Sequence, residues 1–482
     1  MRFIITAFLG FLLFTSCSKI LEEKPRSIAS EVFYNTPAEI EAGLNSIYNP
    51  LRAGSSLGGL YTVQVECYGD YMYGRGSHAP LNEYAGLDNT NISRVAGMWF
   101  QFYQSIRNAN IIIQNLGKGK LSTEIAGKYL GEARFLRALN YFYLVRNWAG
   151  VPLRNEGNID SIDIKRSSPS EVYDFIVNDL KFAEENLPET PRLLGVPSKW
   201  AAKTLLADVY LNLKNYPTAR DKFREVIQSN KFSLVGVANA NDFEKIYGPD
   251  VVTTSEEIFY LKFSRLGDNQ GFGYVMFALS PGSGFYPPGG YYTFYSDSVK
   301  NPVIRDWDKN DLRYKFNWYY YSFGAGTSTI LNKKYKDPQA VNPSNAGNDY
   351  PIYRYAEVLL YYAEAESRVN GGPNADAVEK LNMVRRRAYG INPSTPNAND
   401  YKLSDFSNAQ SFLDAVIKER CYETVSEGKR WLDLKRLGIV KEVILAAKGK
   451  TVADKHLLWP IPATEYNYNK GIDPVKDQNP GY

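Results

Sequence analysis

Four carboxylates lie close together in the segment ERCYETVSEGKRWLDLKR at residues 419–436, namely Glu419, Glu423, Glu427 and Asp433. Two carboxyl groups about 5–5.5 Å or about 6.5–9.5 Å apart could hydrolyse a glycosidic bond. Arginines and lysines interleave with these acids at three- and four-residue intervals, as they do in ion pairs on a helix surface. Because ion-pair networks imitate catalytic sites, we interpret this segment as structural, fixing helix ends and contacts between helices.

A second acidic cluster, Asp306, Asp308 and Asp311, lies in VIRDWDKNDLRYKF at residues 303–316. A surface hydrolase would have to take its catalytic carboxylates from this cluster. No other acidic cluster lies close to the aromatic segments at residues 280–297 and 314–326. The spacing also suits a calcium loop, but no complete calcium-binding motif is present. We interpret the cluster as turn-forming. With two histidines in the chain, we expect no metal, no cofactor and no catalytic residue.

Aromatic residues make up 14% of the chain, and tyrosine, with 37 copies, is the most frequent of them. Two segments concentrate them, SPGSGFYPPGGYYTFYSD at residues 280–297 and YKFNWYYYSFGAG at residues 314–326. Paired prolines and glycines at 287–290 break helix and strand alike, so the first segment must be irregular. Flat aromatic faces suit the apolar patches of pyranose rings, and polar side chains at the rim can bind the sugar hydroxyls.

A third segment, CYGDYMYGRGSHAPLNEYAGLDNTN at residues 67–91, is loop-like and supplies the second wall of the predicted site. The predicted ligand-binding residues are Tyr71, Tyr73, Arg75, Asn82, Tyr84, Asn89, Tyr286, Tyr291, Tyr292, Tyr295, Trp318 and Tyr319. Because clustered aromatic side chains also pack protein cores, we expect about one in three of them to contact ligand. Trp99 opens a periodic helix, so we assign it to the core.

Most long segments after residue 95 carry helical periodicity and would form the frame that positions the aromatic segments. Residues 98–116 and 124–148 predict an antiparallel pair of helices. Residues 168–188 predict a third helix, because Ser168 can cap it and Glu171 can complete a capping box.

Two units of roughly 34 residues have the helix–break–helix pattern of a tetratricopeptide repeat. They cover residues 198–230, with a break at 215–217, and residues 355–390, with a break at 371–373. Between them, residues 231–350 are rich in Gly, Pro, Tyr, Ser and Asn, with strand-like runs such as 257–264. The predicted fold is therefore dominated by α-helices: a tetratricopeptide-like scaffold of helical pairs, with long irregular and short-strand inserts forming the ligand face.

The chain begins with Arg2 and an apolar run from Phe3 to Phe14, followed by TSCSKILEEKP. This layout predicts a signal peptide over residues 1–16 rather than a membrane-spanning helix, which needs about 20 apolar residues. Cys17 at the cleavage junction could carry a diacylglyceryl group and a second acyl chain, as stable anchoring requires more than one chain. FTSC resembles a bacterial lipobox, although Phe14 stands where leucine is more usual, so Cys17 is the predicted lipidation site.

The formal net charge of +4, from 56 basic and 52 acidic residues, is dispersed along the 482-residue chain. No basic tail indicates nucleic-acid binding, and no later stretch is long and apolar enough to span a membrane. Cys67 and Cys421 are the other cysteines. They could pair in an oxidising compartment, but we favour two free buried thiols.

Taken in order, the helical segments resemble the SusD/RagB family of Bacteroidota outer-membrane lipoproteins. The matching stretches are EARFLRALNYFYLVRNWAGVPL (132–153), SPSEVYDFIVNDL (168–180), AAKTLLADVYL (201–211), PIYRYAEVLLYYAEA (351–365), LNMVRRRAYG (381–390), ERCYETVSEGKRWLDLKRLG (419–438) and LLWPIPATE (457–465). Glu22 and Glu23 after Cys17 resemble the acidic export signal that places such lipoproteins on the cell surface.

The resemblance implies a non-catalytic protein, lipid-anchored in the outer membrane and facing the cell exterior. Such a protein captures glycan oligomers and delivers them to a SusC-like TonB-dependent transporter. The resemblance and the composition together predict three regions in the mature chain: a helical region at 17–230, an aromatic-rich insert at 231–350 and a C-terminal helical region at 351–482. One alternative is a peptide-capturing member of the family, whose site would hold more ionic partners and fewer exposed rings. The second alternative is a surface glycoside hydrolase. Of the three functions, the abundance of aromatic residues favours glycan capture.

Overall fold

The computed structural model describes residues 34–116, 121–267, 270–280, 282–285, 289–341 and 344–482. The predicted lipidation site Cys17 and the predicted ligand residue Tyr286 lie outside the described residues. Within these ranges, no helix combines the length and the apolar character needed to cross a membrane.

Helices account for most of the regular structure. In the described ranges the α-helices are α1 (Pro37–Arg52), α2 (Leu60–Tyr68), α3 (Ala79–Glu83), α4 (Asn89–Leu116), α5 (Thr123–Trp148), α6 (Pro169–Asn186), α7 (Lys199–Asn212), α8 (Tyr216–Gln228), α9 (Glu244–Tyr247), α10 (Tyr274–Ala278), α11 (Pro302–Arg305), α12 (Leu312–Asn317), α13 (Tyr355–Asn370), α14 (Ala375–Ala388), α15 (Ala409–Glu423), α16 (Arg430–Leu437), α17 (Val440–Lys448) and α18 (Ala463–Tyr468).

Local sequence signals set the boundaries of these helices. Helix α6 begins with the predicted capping box, in which the Ser168 hydroxyl accepts from the Glu171 amide and the Glu171 carboxylate accepts from the Ser168 amide. Asn215 caps α8 at the predicted break between α7 and α8. Helix α13 ends at Gly371, whose φ of 68° lies in the left-handed region that glycine adopts without strain. These predicted boundaries are confirmed.

The helices stack in chain order and confirm the predicted scaffold of helical pairs. Helix α4 packs on α5, α5 on α6, α6 on α7 and α7 on α8, and α8 packs on α13 of the C-terminal region. A small residue permits one of these close approaches, because a Cβ atom at Gly131 of α5 would lie 3.2 Å from Leu187 Cγ. Trp99 of α4 is 3% exposed, so its assignment to the core is confirmed.

The region between α8 and α13 holds the short strands. The strands are β1 (Tyr73–Gly74), β2 (Glu257–Leu261), β3 (Phe294–Asp297), β4 (Trp318–Tyr320), β5 (Thr329–Asn332) and β6 (Tyr350–Arg354). Strand β2, which was predicted, pairs with β6 in an antiparallel two-stranded sheet. The other four form an antiparallel sheet in the order β1-β3-β5-β4. Strand β1 comes from the N-terminal region, so this sheet joins that region to the insert.

The acidic residues of segment 419–436 belong to a buried ion network. Glu423 accepts hydrogen bonds from three guanidinium groups, those of Arg354 at 2.8 Å, Arg387 at 2.5 Å and Arg313 at 3.0 Å. Arg313 also pairs with Glu419 at 2.6 Å. All five side chains are almost fully buried. The surrounding guanidinium groups keep the pKa of the Glu423 carboxyl well below its usual range, despite burial.

This geometry supports the structural interpretation of the segment, but the expected pairing on one helix surface is wrong for Glu419, Glu423 and Glu427. Glu423 lies on α15, whereas its partners lie on α12, β6 and α14. Glu427 pairs with Lys334 at 2.5 Å and Asp433 pairs with Arg420 at 2.8 Å, again in the interior. A carboxylate withdrawn from water needs charged donors. For Glu423 and Glu427 they come from elements distant in sequence, whereas Asp433 pairs with Arg420 and Arg436 of the same segment.

Candidate ligand-binding site

Strands β1 and β3 bring together two of the predicted walls. Tyr73 pairs with Tyr295 across these strands, and the Arg75 amide donates to the Thr293 carbonyl at 2.8 Å. The rings of Tyr73 and Tyr295 are stacked, with centroids 5.5 Å apart and an interplanar angle of 27°. Strand β4, which starts at Trp318, joins the same sheet through β5. One sheet therefore carries residues from all three aromatic segments.

Seven aromatic side chains form a continuous series on this frame, which we call the aromatic row. The row contains Tyr73, Tyr295, Phe323, Tyr292, Tyr321, Tyr319 and Phe285. Neighbouring ring centroids are 5.3 Å apart for Tyr295–Phe323, 5.7 Å for Tyr292–Phe323, 5.6 Å for Tyr292–Tyr321, 6.4 Å for Tyr319–Tyr321 and 5.1 Å for Phe285–Tyr319. Rings at these separations attract one another, so the row is held together by its own contacts.

Arg75 lies over two rings of the row. Its guanidinium carbon is 3.9 Å from the Tyr292 centroid and 4.6 Å from the Phe323 centroid. Its Nη1 donates to the carbonyl oxygens of Tyr291 at 3.3 Å and Tyr292 at 3.2 Å. The backbone at Tyr292 has a φ of 35°, a conformation that non-glycine residues rarely adopt. Arg75 therefore stabilises an unusual turn that orients the Tyr292 ring.

The rings of the row are half-buried, their exposed neighbours add accessible ring surface, and hydroxyl groups of the row stay protonated. Tyr291 and Tyr320, which adjoin row residues in the chain, are 61% and 66% exposed. Tyr73, Tyr295 and Tyr319 are half-buried, and burial raises the pKa of each of these three phenols above its usual value. At neutral pH they are hydrogen-bond donors as well as acceptors. Such side chains can stack on a sugar ring and also bind its hydroxyls.

Half of the predicted ligand residues come together here. Tyr73, Arg75, Tyr292, Tyr295 and Tyr319 belong to the row or lie on it, and Tyr291 is exposed next to Tyr292. Whether these side chains contact ligand stays a prediction. Asn89 is exposed in the first turn of α4, and no contact between the described residues joins it to the row.

Two predicted aromatic contacts lie in the core and are corrected. Tyr71 and Trp318 are 0% and 5% exposed, and their rings pack edge to face with centroids 6.4 Å apart. Both rings therefore pack in the interior. The Tyr71 hydroxyl donates to the buried Glu66 carboxylate, and Trp318 is the buried residue of β4.

Two predicted polar contacts are also buried and are corrected. The Tyr84 hydroxyl donates to the Tyr68 carbonyl at 2.6 Å, and the Tyr84 ring is 5% exposed. The side-chain oxygen of Asn82 accepts from the Gly74 amide in β1. These groups satisfy the backbone of the loop that carries Tyr73. Their role in the structure is to position that loop.

Three members of the row were absent from the predicted set: Phe285, Tyr321 and Phe323. A usable signal was present in the sequence, because Tyr319, Tyr321 and Phe323 follow one another at two-residue spacing, the period of one face of an extended chain. Trp318 is out of phase with them and points inward. The two-residue period therefore separates the residues of the row from Trp318, but not surface from core in general, since Tyr320 is in phase with Trp318 and is 66% exposed.

The aspartates at 306–311 are used in turns, as predicted. Asp311 caps α12 and pairs with Arg313 at 2.6 Å, and Asp308 accepts from the Asn310 amide at 2.9 Å. Asp306 pairs with the adjacent Arg305. Across the described ranges no group of three or more His, Cys, Asp or Glu residues is arranged to hold a metal ion. Cys67 and Cys421 are both free and buried, as favoured from the sequence.

Two family models match the chain. One, described as the SusD family, covers residues 300–482, and the other, described as starch-binding associating with outer membrane, covers residues 19–211. SusD-like protein P2 of Formosa agariphila is 27% identical over 518 aligned positions, which include 100% of both chains. A SusD-like protein of Bacteroides ovatus is 28% identical and aligns with 88% of this chain and 80% of its own length.

Solved structures share the fold. A SusD homologue from Bacteroides thetaiotaomicron has a TM-score of 0.79 at 22% identity and covers 94% of this chain and 98% of its own. Surface glycan-binding protein A from Bacteroides fluxus has a TM-score of 0.76 at 23% identity, with coverage of 93% and 100%. A laminarin-binding SusD-like protein has a TM-score of 0.72 at 23% identity, with the same coverage. At 22–23% sequence identity, these comparisons show a shared fold alone.

Proposed function

The chain belongs to the SusD family, and from this premise we propose that it is a surface protein that captures glycan chains on the aromatic row without cleaving them. The observation that carries the proposal is the row itself. Seven rings from two distant parts of the chain are placed side by side, with Tyr291 and Tyr320 exposed beside them. A purely structural aromatic cluster would be expected to bury such rings.

The row suits a chain of sugars better than a single one. It contains seven rings, joined by contacts from Tyr73–Tyr295 to Phe285–Tyr319, which is more ring surface than one sugar can cover. Stacking area and oriented hydrogen bonds supply most of the affinity for a sugar, because its hydroxyl groups are already well solvated in water. Two proteins that share this fold are a surface glycan-binding protein and a laminarin-binding protein, which agrees with a glycan ligand.

The carboxylates close to the row support binding without hydrolysis. Asp297 is 7% exposed and accepts from the amides of Val299 and Lys300 at 2.9 and 2.8 Å. Glu83 is paired with Lys450. A glycosidase needs two carboxyl groups flanking the scissile bond. These two carboxylates are instead committed to contacts within the protein.

Association with the outer membrane agrees with the family description matched at residues 19–211. We propose that Cys17 carries the lipid anchor, that the protein faces the cell exterior, and that it delivers its ligand to a SusC-like TonB-dependent transporter. We also retain the division into regions 17–230, 231–350 and 351–482 as a proposal. Replacing Cys17 by serine should release the protein from the membrane fraction, and co-purification from the outer membrane would identify the transporter.

A glycan and peptide panel, titrated by calorimetry into the protein starting at Ser18, tests the binding function. We expect saturable binding to a glycan, no new reducing ends, and loss of binding in the double variant Tyr292→Ala, Tyr295→Ala. Tyr468→Ala is the matched control, since Tyr468 is 77% exposed on α18 and is not part of the row. Binding of peptides alone would select the peptide-capturing alternative, and release of reducing ends would select the hydrolase.

A further inference from the structure

Arg75 is a cation without a carboxylate partner on the proposed binding surface. Its guanidinium contacts are the rings of Tyr292 and Phe323 and two backbone carbonyls. No carboxylate among the described residues lies within ion-pair distance of it. Its Nε and Nη2 groups have no protein acceptor in the described part of the chain. The charge of Arg75 is therefore available to a ligand that lies on the row.

Two lysines add positive charge along the same series of rings. Lys448 Nζ lies 5.1 Å from the Tyr73 centroid at one end, and Lys333 Nζ lies 5.6 Å from the Phe285 centroid at the other. Neither lysine has a carboxylate within ion-pair distance among the described residues. Lys448 is half-buried and donates to the Cys67 carbonyl at 3.2 Å. It would therefore attract an anionic ligand mainly through its electrostatic field and not by direct contact. Lys333 is half-buried at the surface.

The acidic groups near the row are each engaged with the protein. Glu83 pairs with Lys450, Asp70 pairs with Arg430 at 2.5 Å, and Glu244 pairs with Lys336 at 2.5 Å. Asp297 is buried against backbone amides of the turn that follows β3. Asp297 keeps its negative charge, because backbone amides do not neutralise it. The row still has an excess of positive charge, with three cations that have no carboxylate partner against this one carboxylate that has no cationic partner among the described residues.

We propose that the aromatic row selects anionic glycans, whose carboxylate or sulfate groups bind the guanidinium of Arg75 where it lies over Tyr292 and Phe323, while their sugar rings stack on other rings of the row. This inference rests on the proposed glycan-binding function and names the class of glycan. A guanidinium binds carboxylate and sulfate oxygens through charge-assisted hydrogen bonds, about twice as strong as neutral ones. The flat guanidinium on two rings is also fixed in orientation, so little side-chain entropy is lost on binding.

Calorimetry with four oligosaccharide probes of matched length tests this selection. Oligogalacturonate carries carboxylates, carrageenan oligosaccharides carry sulfates, and maltooligosaccharides and laminarin oligosaccharides are neutral. We expect an acidic probe to bind at least about tenfold more tightly than either neutral probe in about 20 mM salt, and to lose most of this advantage in about 500 mM salt. The stronger of the two acidic probes identifies the anionic group.

Three variants and one control variant locate the effect. Arg75→Gln should lower the affinity for the acidic probe about tenfold or more and remove most of its salt dependence. Arg75→Lys keeps the charge and should retain the salt dependence at reduced affinity, which separates loss of charge from a disturbed loop. Lys333→Gln should give a smaller loss. Lys181→Gln, an exposed lysine on α6, removes the same charge from the scaffold and should change nothing.

Two results would overturn the inference and are distinguishable. A neutral probe bound as tightly as the acidic ones, with affinity insensitive to salt and to Arg75→Gln, would leave the glycan-binding function intact but reject selection for anions. Failure of all four probes to bind, with peptides bound instead, would reject the glycan function together with the inference.

Discussion

The rings of Tyr73 and Tyr295 are stacked with their centroids 5.5 Å apart, directly across the paired strands β1 and β3. One residue belongs to the N-terminal region and the other to the insert, so this contact joins two parts of the chain that are remote in sequence. Directly opposed aromatic residues stabilise an antiparallel pair of strands. The proposed binding surface therefore depends on a long-range contact that no local segment could form alone.

Replacing Tyr73 and Tyr295 by alanine, singly and together, should reveal their coupling. We expect a coupling free energy of about 0.5–1.5 kcal/mol, because stacked aromatic pairs contribute that much beyond their buried area. Urea unfolding of the four proteins measures it. Tyr73 and Tyr468 are not in contact and serve as the control pair. The losses in the free energy of unfolding from Tyr73→Ala and Tyr468→Ala should add in the double variant. Additive effects for Tyr73 and Tyr295 would show that the rings are not stacked in solution.

Trp318→Ala should strongly destabilise the protein. Trp318 is 5% exposed and packs edge to face on Tyr71, so its removal leaves a large cavity. We expect the free energy of unfolding to fall by about 3–5 kcal/mol. Tyr320→Ala, two positions along in β4 and 66% exposed, is the control and should change stability little. If Trp318→Ala instead removed ligand binding without loss of stability, Trp318 would belong to the surface.

Glu423→Gln should destabilise the C-terminal region. The substitution removes a negative charge that lies among Arg313, Arg354 and Arg387. It weakens three buried charge-assisted hydrogen bonds at once, although each guanidinium keeps at least one other carboxylate partner. We expect a loss of about 3–5 kcal/mol in the free energy of unfolding, measured by urea denaturation. Glu124→Gln breaks only an exposed pair with Lys128 on α5 and should have no measurable effect. Equal stability of the two variants would contradict the buried network.

The sequence predicted the helical frame because its signals are local. The capping box at Ser168, the cap at Asn215 and the glycine at 371 act within one turn of the chain. The buried ion network could not be predicted in the same way. Glu423 has its partners in three other elements, so spacing within its own segment gave the wrong geometry.

The proposed site was predicted as regions rather than as residues. Composition indicated three aromatic segments, and each of them contributes a ring to the row, through Tyr73, Tyr292 and Tyr319. That these rings bind ligand stays a prediction. Which rings point inward depends on strand pairing and on distant acceptors. Tyr71 can be buried because its hydroxyl donates a hydrogen bond to the Glu66 carboxylate. Nothing in the segment around Tyr71 indicates that contact.

The thiols of Cys67 and Cys421 should not react in the folded protein. Both are free and buried, and burial raises the pKa of Cys67 to about 12 and that of Cys421 further above its usual value. Since the thiolate is the reactive form, a thiol-specific reagent should detect no cysteine in the native protein starting at Ser18 and both after unfolding. Ser322→Cys, at an exposed position, is the positive control. Native reactivity of either cysteine would contradict its burial.

Glu66 should make the protein less stable as the pH rises towards neutrality. Burial raises the pKa of this carboxyl to about 7, although it accepts from the Tyr71 hydroxyl and the Gly428 amide and lies near Lys334, and the negative charge of Glu427 adds to the rise. Between pH about 4.5 and 7 the folded protein therefore keeps a proton that the unfolded chain has released. The contribution of Glu66 to the free energy of unfolding then falls by about 3 kcal/mol across this range and stays constant above it.

Glu66→Gln isolates this effect, because glutamine has a similar shape and does not titrate. Urea unfolding of both proteins at pH about 5 and about 7.5 should show the variant gaining stability relative to the parent protein as the pH rises. The comparison cancels other titrating groups, including His78, whose pKa burial lowers to about 3 and whose contribution has the opposite sign. Parallel pH profiles for the two proteins would mean that Glu66 is ionised in the folded state throughout this range, and that Lys334 outweighs its burial.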